Sequence, residues 1–368
     1  MRRTCVLIAL LGCDSRSLGG EEGLLDRPAE GYQINLDTTV GRGEEQFRCL
    51  YFQPSADEDI DVVRWQSRYS DGSHHLLVYL TDLTALPVQG IHDCGADMDE
   101  SIVGIAFGAQ TTAAETAYPQ GVAMHIGAGA VLLLQTHYID TDLSGPFDAT
   151  ATVNLHYAAP GSVEQEAGVL FFYTTDFSLA AGVGVESSTS LSCPIPSDIQ
   201  LLDAFSHMHR RGVGFQAYHV GSAGQGTLIY QTDDWVDPAP ARYQPPMLVR
   251  AGDRVEFSCL FINDRDAVVT EGSSAESNEM CIFVGSYYPR LDPFTELCFA
   301  AQLHGSAPCG VTLDCVLGCG SDTSCTQDCL SAACPGAADE LGALSACVET
   351  NGKLGCSAEL AACENSGC

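Results

Sequence analysis

Positive charge is scarce in this chain: 16 Lys and Arg residues stand against 48 Asp and Glu, a formal charge of −32 over 368 residues. That balance argues against nucleic acid or an anionic membrane surface as partner, since both are met by clustered cations. Charged residues of both signs reach only 17 per cent while apolar ones reach 45 per cent, so the chain can bury substantial cores, and its length allows two or three. Long apolar runs are missing too. Val6 to Leu11 is too short to span a bilayer, and nothing later resembles a transmembrane helix. Nor is there a long segment with 3.6-residue periodicity, which argues against a helical bundle.

Cysteine is abundant. Eighteen cysteines suit an oxidising compartment and a disulfide framework far better than a reducing cytosol. The basic start Met1-Arg2-Arg3, the short apolar run and Leu10-Leu11-Gly12-Cys13 together resemble a bacterial lipoprotein signal, in which the cysteine is lipidated. The expectation is a signal peptide over 1–13, a tether over 14–30 and attachment to a bacterial membrane by lipid anchor alone. The protein would then lie in the periplasm or on the cell surface; an ordinary secretory signal, with the protein secreted, or a mis-set start are the alternatives.

Between about Gly31 and Ala301, short apolar or alternating runs rich in Val, Ile, Phe and Tyr are separated by Gly, Asp, Pro and Ser clusters; His75 to Leu80, Ala130 to Tyr138, Arg254 to Phe261 and Cys281 to Tyr288 are examples. This pattern predicts an all-β chain of two tandem antiparallel, jelly-roll-like β-sandwiches, 31–176 and 177–301, with the Gly/Ser/Ala-rich stretch 178–192 as linker. Ten cysteines follow between Cys309 and Cys368 in the remaining module, 302–368. Cys315-x3-Cys319 and Cys325-x3-Cys329 place the thiols of each pair on one helix face, so a small disulfide-linked helical module is expected. No histidine lies among these cysteines, which favours disulfides over zinc.

The chemistry is carried by His207-Met208-His209 and by Met280 in Asn278-Glu279-Met280-Cys281. On a strand a His-x-His pair turns both imidazoles to one face. Two imidazoles with a thioether form a soft, coordinatively open site that suits copper, Cu(I) above all. A second cluster holds His74-His75 and His137, the latter in Gln135-Thr136-His137-Tyr138. Adjacent histidines on a regular strand point to opposite faces, so His74 and His75 reach one metal only at a bend or through different ring nitrogens. Gln135, Tyr79 and Tyr138 are candidates for supporting these ligands, against the plainer reading of inward polar or packing residues. His92, His125, His156, His219 and His304 belong to no such motif and read as surface or core histidines. Arg210-Arg211 reads as a solvated turn charge, and Asp233-Asp234 with Asp237 as an acidic turn.

With these segments in order, the chain resembles the copper type II, ascorbate-dependent monooxygenases, a family that includes peptidylglycine α-hydroxylating monooxygenase and dopamine β-monooxygenase. The resemblance covers about Tyr32 to Pro289 and includes Gly252-Asp253 and Tyr287-Tyr288-Pro289. It implies two coppers per chain: an electron-storing one on His74, His75 and His137, and one on His207, His209 and Met280 where O2 binds and substrate is attacked. It implies separate centres on two sandwiches facing a solvent-filled cleft, with ascorbate or a similar reductant as co-substrate. It also implies the disulfides Cys49–Cys94, Cys193–Cys298 and Cys259–Cys281; setting aside Cys5 and Cys13, ten tail cysteines remain for five more bridges.

The departures narrow the substrate. The peptide-amidating branch has an arginine where this chain has Phe205, and an asparagine and a tyrosine where it has Ile282 and Val284. The carboxylate-binding set is therefore absent, and a neutral or aromatic small molecule is expected rather than a glycine-extended peptide. The function implied is hydroxylation of an activated C–H bond. Two other classes compete with it: an extracytoplasmic copper-binding or sequestering protein without turnover, and a surface interaction protein whose Cys-rich tail engages a partner.

Overall fold

The computed structural model describes residues 24–94, 101–139, 145–175, 177–291, 293–300 and 306–319, together with 329, 332–334, 337, 341, 344, 347, 356–365 and 367. The signal peptide, Cys13 and most of the tether fall outside them, as do His304, Cys325 and Cys368.

Among the described residues up to 300 the chain is β apart from a helical residue at Ser101 and one short turn of helix. The first half contributes β1 (Gly31–Val40), β2 (Glu45–Phe52), β3 (Ile60–Tyr69), β4 (Ser73–Thr81), β5 (His92–Asp93), β6 (Ile102–Ala109), β7 (Ala113–Ala117), β8 (Val122–Ile126), β9 (Leu132–Ile139), β10 (Phe147–Tyr157) and β11 (Gln165–Glu166). The second contributes β12 (Gly168–Thr174), β13 (Ser178–Leu179), β14 (Glu186–Pro194), β15 (Ile199–Met208), β16 (Gly212–Val220), β17 (Gly226–Thr232), β18 (Ala241–Val249), β19 (Arg254–Ile262), β20 (Val269–Thr270), β21 (Cys281–Tyr288) and β22 (Leu297–Ala300), with α1 (Pro293–Glu296) before the last.

Two sheets enclose each core. In the first sandwich, a sheet ordered β1-β10-β3-β8-β11, with β7 also on β3, covers one ordered β5-β2-β9-β4-β6. In the second, β18-β15-β21-β12-β22 covers β14-β19-β16-β17. Period-two alternation explains the packing: Leu76 and Val78 of β4 and Leu132, Leu134 and Tyr138 of β9 meet Leu36, Val62, Trp65 and Val153 of the facing sheet. In the second sandwich Leu201, Phe283 and Phe172 meet Phe215, Ala217 and Phe257 in the same way.

Strands β9 and β21 are buried along nearly their whole length, so each is covered on both faces. In β21, Cys281 and Phe283 enter the second core while Ile282 and Val284 join the first, which also takes in Phe205 and Met280. The sheet containing β4 and β9 therefore packs against the sheet containing β15 and β21. Gly108 in β6 marks the close approach: a Cβ there would sit 3.0 Å from Leu77 Cδ2 and 3.6 Å from Phe205 Cζ.

Strand pairing moves the division between the halves. β12 pairs with β21 and β22, so the second sheet system begins at Gly168, ahead of the 176/177 boundary read from composition. The stretch 178–192 contains β13 and the start of β14 rather than a free linker; its small residues alternate half-buried with exposed along a sheet edge, which composition alone cannot distinguish from a loop.

The three disulfides implied by the family resemblance are formed: Cys49–Cys94, Cys193–Cys298 and Cys259–Cys281. In the tail, helices α2 (Cys309–Cys319) and α3 (Ser357–Asn365) are joined by Cys309–Cys363, with Cys315–Cys329 and Cys347–Cys356 nearby. Cys319 and Cys334 are disulfide-bonded as well. Cysteines committed to disulfides offer no thiolates, so the close groups Cys315, Cys319, Cys329 and Cys347, Cys356, Glu359 are not zinc sites.

Candidate metal centre

His137 and His75 lie directly opposite each other on β9 and β4. Residues paired in this way share a face, and that face looks out of the first core towards the second sandwich. His74 would point the other way on a regular strand. A register shift between Ser73 and His75 breaks the alternation, and the ring of His74 turns to lie 5.2 Å from that of His75 and 5.1 Å from that of His137. The bend that the sequence requires for His74-His75 to act together is therefore present, as a bulge.

On the other side, His207 of β15 pairs with Ile282 of β21, and Phe205 with Val284. The paired register ends at Met208 and Cys281, so His209 and Met280 each lie one residue past the end of their strands. Met280 is half-buried and packs against the first core.

Because the two sheets are packed together, the five imidazoles form one group. The ring of His207 is 5.0 Å from that of His74 and 4.8 Å from that of His75, and His209 lies 5.2 Å from His207. One ligand atom from each of His74, His75 and His137 lies within 4.8 Å of the others, and the same holds for His74, His207 and His209. This differs from the expectation of two triads facing each other across solvent. Phe205, Met280, Ile282 and Val284 fill the space between the sheets and bring both sets to one buried place.

All five rings are buried, and each leaves one nitrogen without a hydrogen-bond partner: His74 Nε2, His75 Nδ1, His137 Nδ1, His207 Nε2 and His209 Nε2. For three of them the opposite nitrogen is held by an oxygen. His137 Nε2 donates to Glu45 Oε1 at 2.9 Å, His207 Nδ1 to Gln110 Oε1 at 2.7 Å, and His209 Nδ1 approaches the Asn278 carbonyl at 3.4 Å. Since the outer nitrogen carries the hydrogen, the inner one presents a lone pair. Burial, then repulsion between neighbouring rings, pushes His74, His75 and His207 well below the ordinary imidazole range; burial brings His209 down to about 3. Five buried imidazoles with unpartnered nitrogens are a set of borderline nitrogen donors that suits a first-row transition metal, copper among them.

The surroundings divide the supporting candidates. Tyr79 Oη donates to Gln135 Oε1 at 3.2 Å, and Gln135 hydrogen-bonds His75, so both sit behind that ring. Tyr138 lies in the first core, on the opposite face of β9 from His137. Three supports were not legible as such: Glu45; Phe47, which stacks on His137 at 3.9 Å; and Gln110. Trp235 adds an edge contact 5.5 Å from His74. Each meets its ring through strand register or sheet packing, so no local motif announces it.

A second layer holds the segment before Met280. Glu279 is fully buried and accepts from the backbone amides of His209 at 3.0 Å and Arg211 at 2.7 Å. Burial pushes its carboxyl up to about 7, against the lowering effect of these bonds and of the Arg211 charge. Arg211 is itself enclosed, paired with Asp264 and bonded to the carbonyls of Glu276 and Asn278. Only Arg210 behaves as the half-exposed turn charge that the sequence suggests for both; Arg211 is covered by the segment 264–279. The remaining described histidines are apart from the group: His92 stacks on Tyr51, His125 faces Asp61, His156 faces Arg64, and His219 faces Asp253. Asp234 Oδ1 accepts from the amides of Val236 and Asp237, closing an ordinary turn.

A shallow depression with a cavity volume of about 30 Å³ opens beside Gln110 and Phe205, between Glu115 of the first sandwich and Pro238, Pro240 and Arg242 of the second. Phe205 thus borders an opening, whereas Ile282 and Val284 are closed off against the first core.

Residues 175–305 match the model of a family described as copper type II ascorbate-dependent monooxygenase, C-terminal domain. The chain is similar to the Homo sapiens protein named putative DBH-like monooxygenase protein 2, with 26% identity over 303 residues, covering 72% of this chain and 58% of that one. It is similar to the Mus musculus DBH-like monooxygenase protein 1, with 21% identity over 301 residues, 70% of this chain and 47% of the other. The chain therefore spans about half the length of these curated relatives. Among solved structures, the major capsid protein P2 from bacteriophage PM2 aligns over 71% of this chain and 98% of its own, with 10% identity and a TM-score of 0.28, a likeness too slight to bear on fold or function.

Proposed function

We propose that the chain is a member of the copper type II ascorbate-dependent monooxygenase family, a reading supported by the match of residues 175–305 and the two DBH-like relatives, and that it hydroxylates an activated C–H bond of a small organic substrate, using O2 and a one-electron reductant such as ascorbate. The observation that carries this reading is the set of five buried, unpartnered imidazole nitrogens, in two close groups that share His74. His74, His75 and His137 would hold one copper and His207, His209 and Met280 the other. Copper bound there would supply one-electron redox chemistry and activation of dioxygen.

The protein's own contribution is positional. Glu45, Gln110 and Gln135 fix ring orientation from behind, so that each lone pair is aimed before any metal arrives. Phe205, Met280, Ile282 and Val284 exclude water from the space between the sheets. Substrate would approach from the depression bordered by Phe205 and by Gln110, whose side chain bonds His207. Phe205 stands where a carboxylate-binding arginine would serve a peptide substrate, which supports a neutral or aromatic molecule. Efficient turnover of a glycine-extended peptide would refute that part.

The test is reductant-dependent oxygen uptake by copper-loaded protein, beside Met280→Ile and His137→Ala. A monooxygenase binds two coppers per chain and loses coupled uptake in both variants; zinc alone, or a single copper, would count against it. The enclosure of all five rings favours one other reading, an extracytoplasmic copper-sequestering protein. Full copper loading without coupled uptake would select it. The disulfides support an extracytoplasmic setting, and lipid anchoring through Cys13 is proposed with it. Cys13→Ala should move the protein from the membrane to the soluble fraction.

A further inference from the structure

Glu45 does more than face His137. Its two carboxylate oxygens take three donors: His137 Nε2 at 2.9 Å and the Ala275 amide at 2.6 Å on Oε1, and Ser274 Oγ at 2.6 Å on Oε2. His137 belongs to the first sandwich; Ser274 and Ala275 belong to the second, in the turn that runs into Glu279-Met280-Cys281. That turn is closed on itself, because Ser277 N donates to Ser274 Oγ at 3.2 Å and Asn278 N to the Ser274 carbonyl at 2.9 Å. Glu45 therefore caps the open amide end of the turn while gripping the outer nitrogen of His137.

We propose that Glu45 is a positioning residue shared by both halves of the site, clasping the two sandwiches so that the orientation of His137 and the placement of Met280 depend on one carboxylate. A neutral side chain would not serve equally. The donors are two N–H groups and one O–H, which an anionic carboxylate accepts together, with bonds about twice as strong as neutral ones. An amide brings its own N–H₂ against one of these donors. A side chain shorter by one methylene cannot span from β2 to both the imidazole and the turn. The residue is partly screened from solvent, its side chain being 21% exposed, so water competes for these bonds less than at an open surface. Nothing in the local sequence marks it: Glu45 and Ser274 are 229 residues apart.

The inference rests on the copper reading only in its second half, and the experiment separates the two. In metal-free protein, hydrogen exchange of residues 272–280 should quicken by about tenfold or more in Glu45→Gln, with Ser274→Ala giving a smaller acceleration and Glu45→Asp no rescue. In a His137→Ala background, where Glu45 has no imidazole to hold, Glu45→Gln should still weaken Cu(I) binding at the His207, His209 and Met280 set by about five- to tenfold, read by competition with a chromophoric chelator. At full copper loading, the Cu(II) paramagnetic resonance signal of the His137 centre should shift in Glu45→Gln and stay in place in Ser274→Ala. Unchanged exchange at 272–280 would overturn the clasp. Unchanged Cu(I) affinity in the His137→Ala background would overturn the coupling, leaving Glu45 as a support of His137 alone. Absence of copper uptake by the unaltered protein would sink the copper reading and the coupling with it, while the exchange result alone would then decide the clasp. Should Glu45→Gln fail to fold, Ser274→Ala carries the exchange and Cu(I) measurements by itself.

Discussion

Gln110 Oε1 lies 2.7 Å from His207 Nδ1, although the two residues come from different sandwiches. The amide of Gln110 also donates to the Trp235 carbonyl, which fixes which way round it sits. Its oxygen therefore faces the imidazole, His207 carries its hydrogen on Nδ1, and the Nε2 lone pair is turned towards His74, His75 and His209. Gln110→Leu should keep the fold with a loss of about 1–3 kcal/mol. Copper affinity at the His207, His209 and Met280 set should fall about 10- to 100-fold, with the other set little changed. Gln110→Glu, which keeps an acceptor, should restore most of it. Chelator competition on each variant measures this, and equal losses at both sets would show that Gln110 serves packing rather than His207.

The Cys259–Cys281 bridge joins the two sheets of the second sandwich immediately beside Met280. Replacing both cysteines by serine should cost about 2–4 kcal/mol in chemical denaturation. The double replacement of Cys193 and Cys298, whose bridge lies away from the imidazole group, serves as control. Cu(I) affinity should fall in the first protein and hold in the second. If the two behave alike, the bridge contributes stability and does not place the thioether.

How much of this was legible in the residues follows from the range of each interaction. His207 and His209 share a face because strand side chains alternate, and that can be read from three consecutive positions. Cysteine abundance likewise announces disulfides. The joint action of His74 and His75 depends on a bulge, and nothing in Ser-His-His-Leu dictates one. Glu45 and Gln110 are found only when β2 is set beside β9 and the two sandwiches are pressed together. The merging of two triads into one group has the same origin: it is a property of the sheet-to-sheet contact made by Phe205, Met280, Ile282 and Val284, which no single strand encodes. Arg211 reads as a turn charge for a related reason, since the segment that buries it lies more than fifty residues further along the chain.

Arg211 leads to a further expectation. Its guanidinium is enclosed and donates to Asp264 Oδ1 and the Glu276 carbonyl, each at 2.7 Å, with Glu279 Oε1 at 3.7 Å. Arg211→Met would leave the buried Glu279 carboxyl without its cation and take one donor from each of the Glu276 and Asn278 carbonyls, which Arg265 and His209 also reach. A loss of about 3–5 kcal/mol in urea denaturation is expected. Arg211→Lys should rescue little, because one ammonium cannot match the spread of a guanidinium fork. Adding Glu279→Gln to Arg211→Met should recover part of the loss, as the uncompensated carboxyl is then gone. No recovery in that double variant would mean that the carbonyl contacts, rather than the charge, are what Arg211 supplies.

The imidazole group also sets a pH dependence. Burial, then mutual repulsion, holds His74, His75 and His207 well below their ordinary value of 6.5, burial lowers His137 as well, and His209 falls to about 3. In the unfolded chain these rings take up protons as the pH drops through 6.5, whereas the folded protein does not accept them until far lower. Their contribution to stability is thus complete above that value and is lost as the medium becomes acidic. Glu45 acts in the same direction over a lower window: burial tends to raise it, but bonds from His137, Ser274 and Ala275 hold it at about 2, so its contribution is lost as pH falls from 4.5 towards 2. Glu279 acts oppositely, being raised to about 7, so its contribution fades as pH rises from 4.5 towards 7. Among the described residues, six lowered imidazoles, these five and His156, outnumber three raised carboxyls, Asp203, Glu279 and Glu296, so the unfolded chain binds more protons between 4.5 and 6.5. The unfolding midpoint of the metal-free protein should therefore fall steeply over that interval. Removing His75 and His207 together should flatten the slope in proportion to the rings lost. A profile that stays level through the interval would mean that the rings are solvated or already protonated in the folded protein, and the dry, neutral donor set required for copper would not exist.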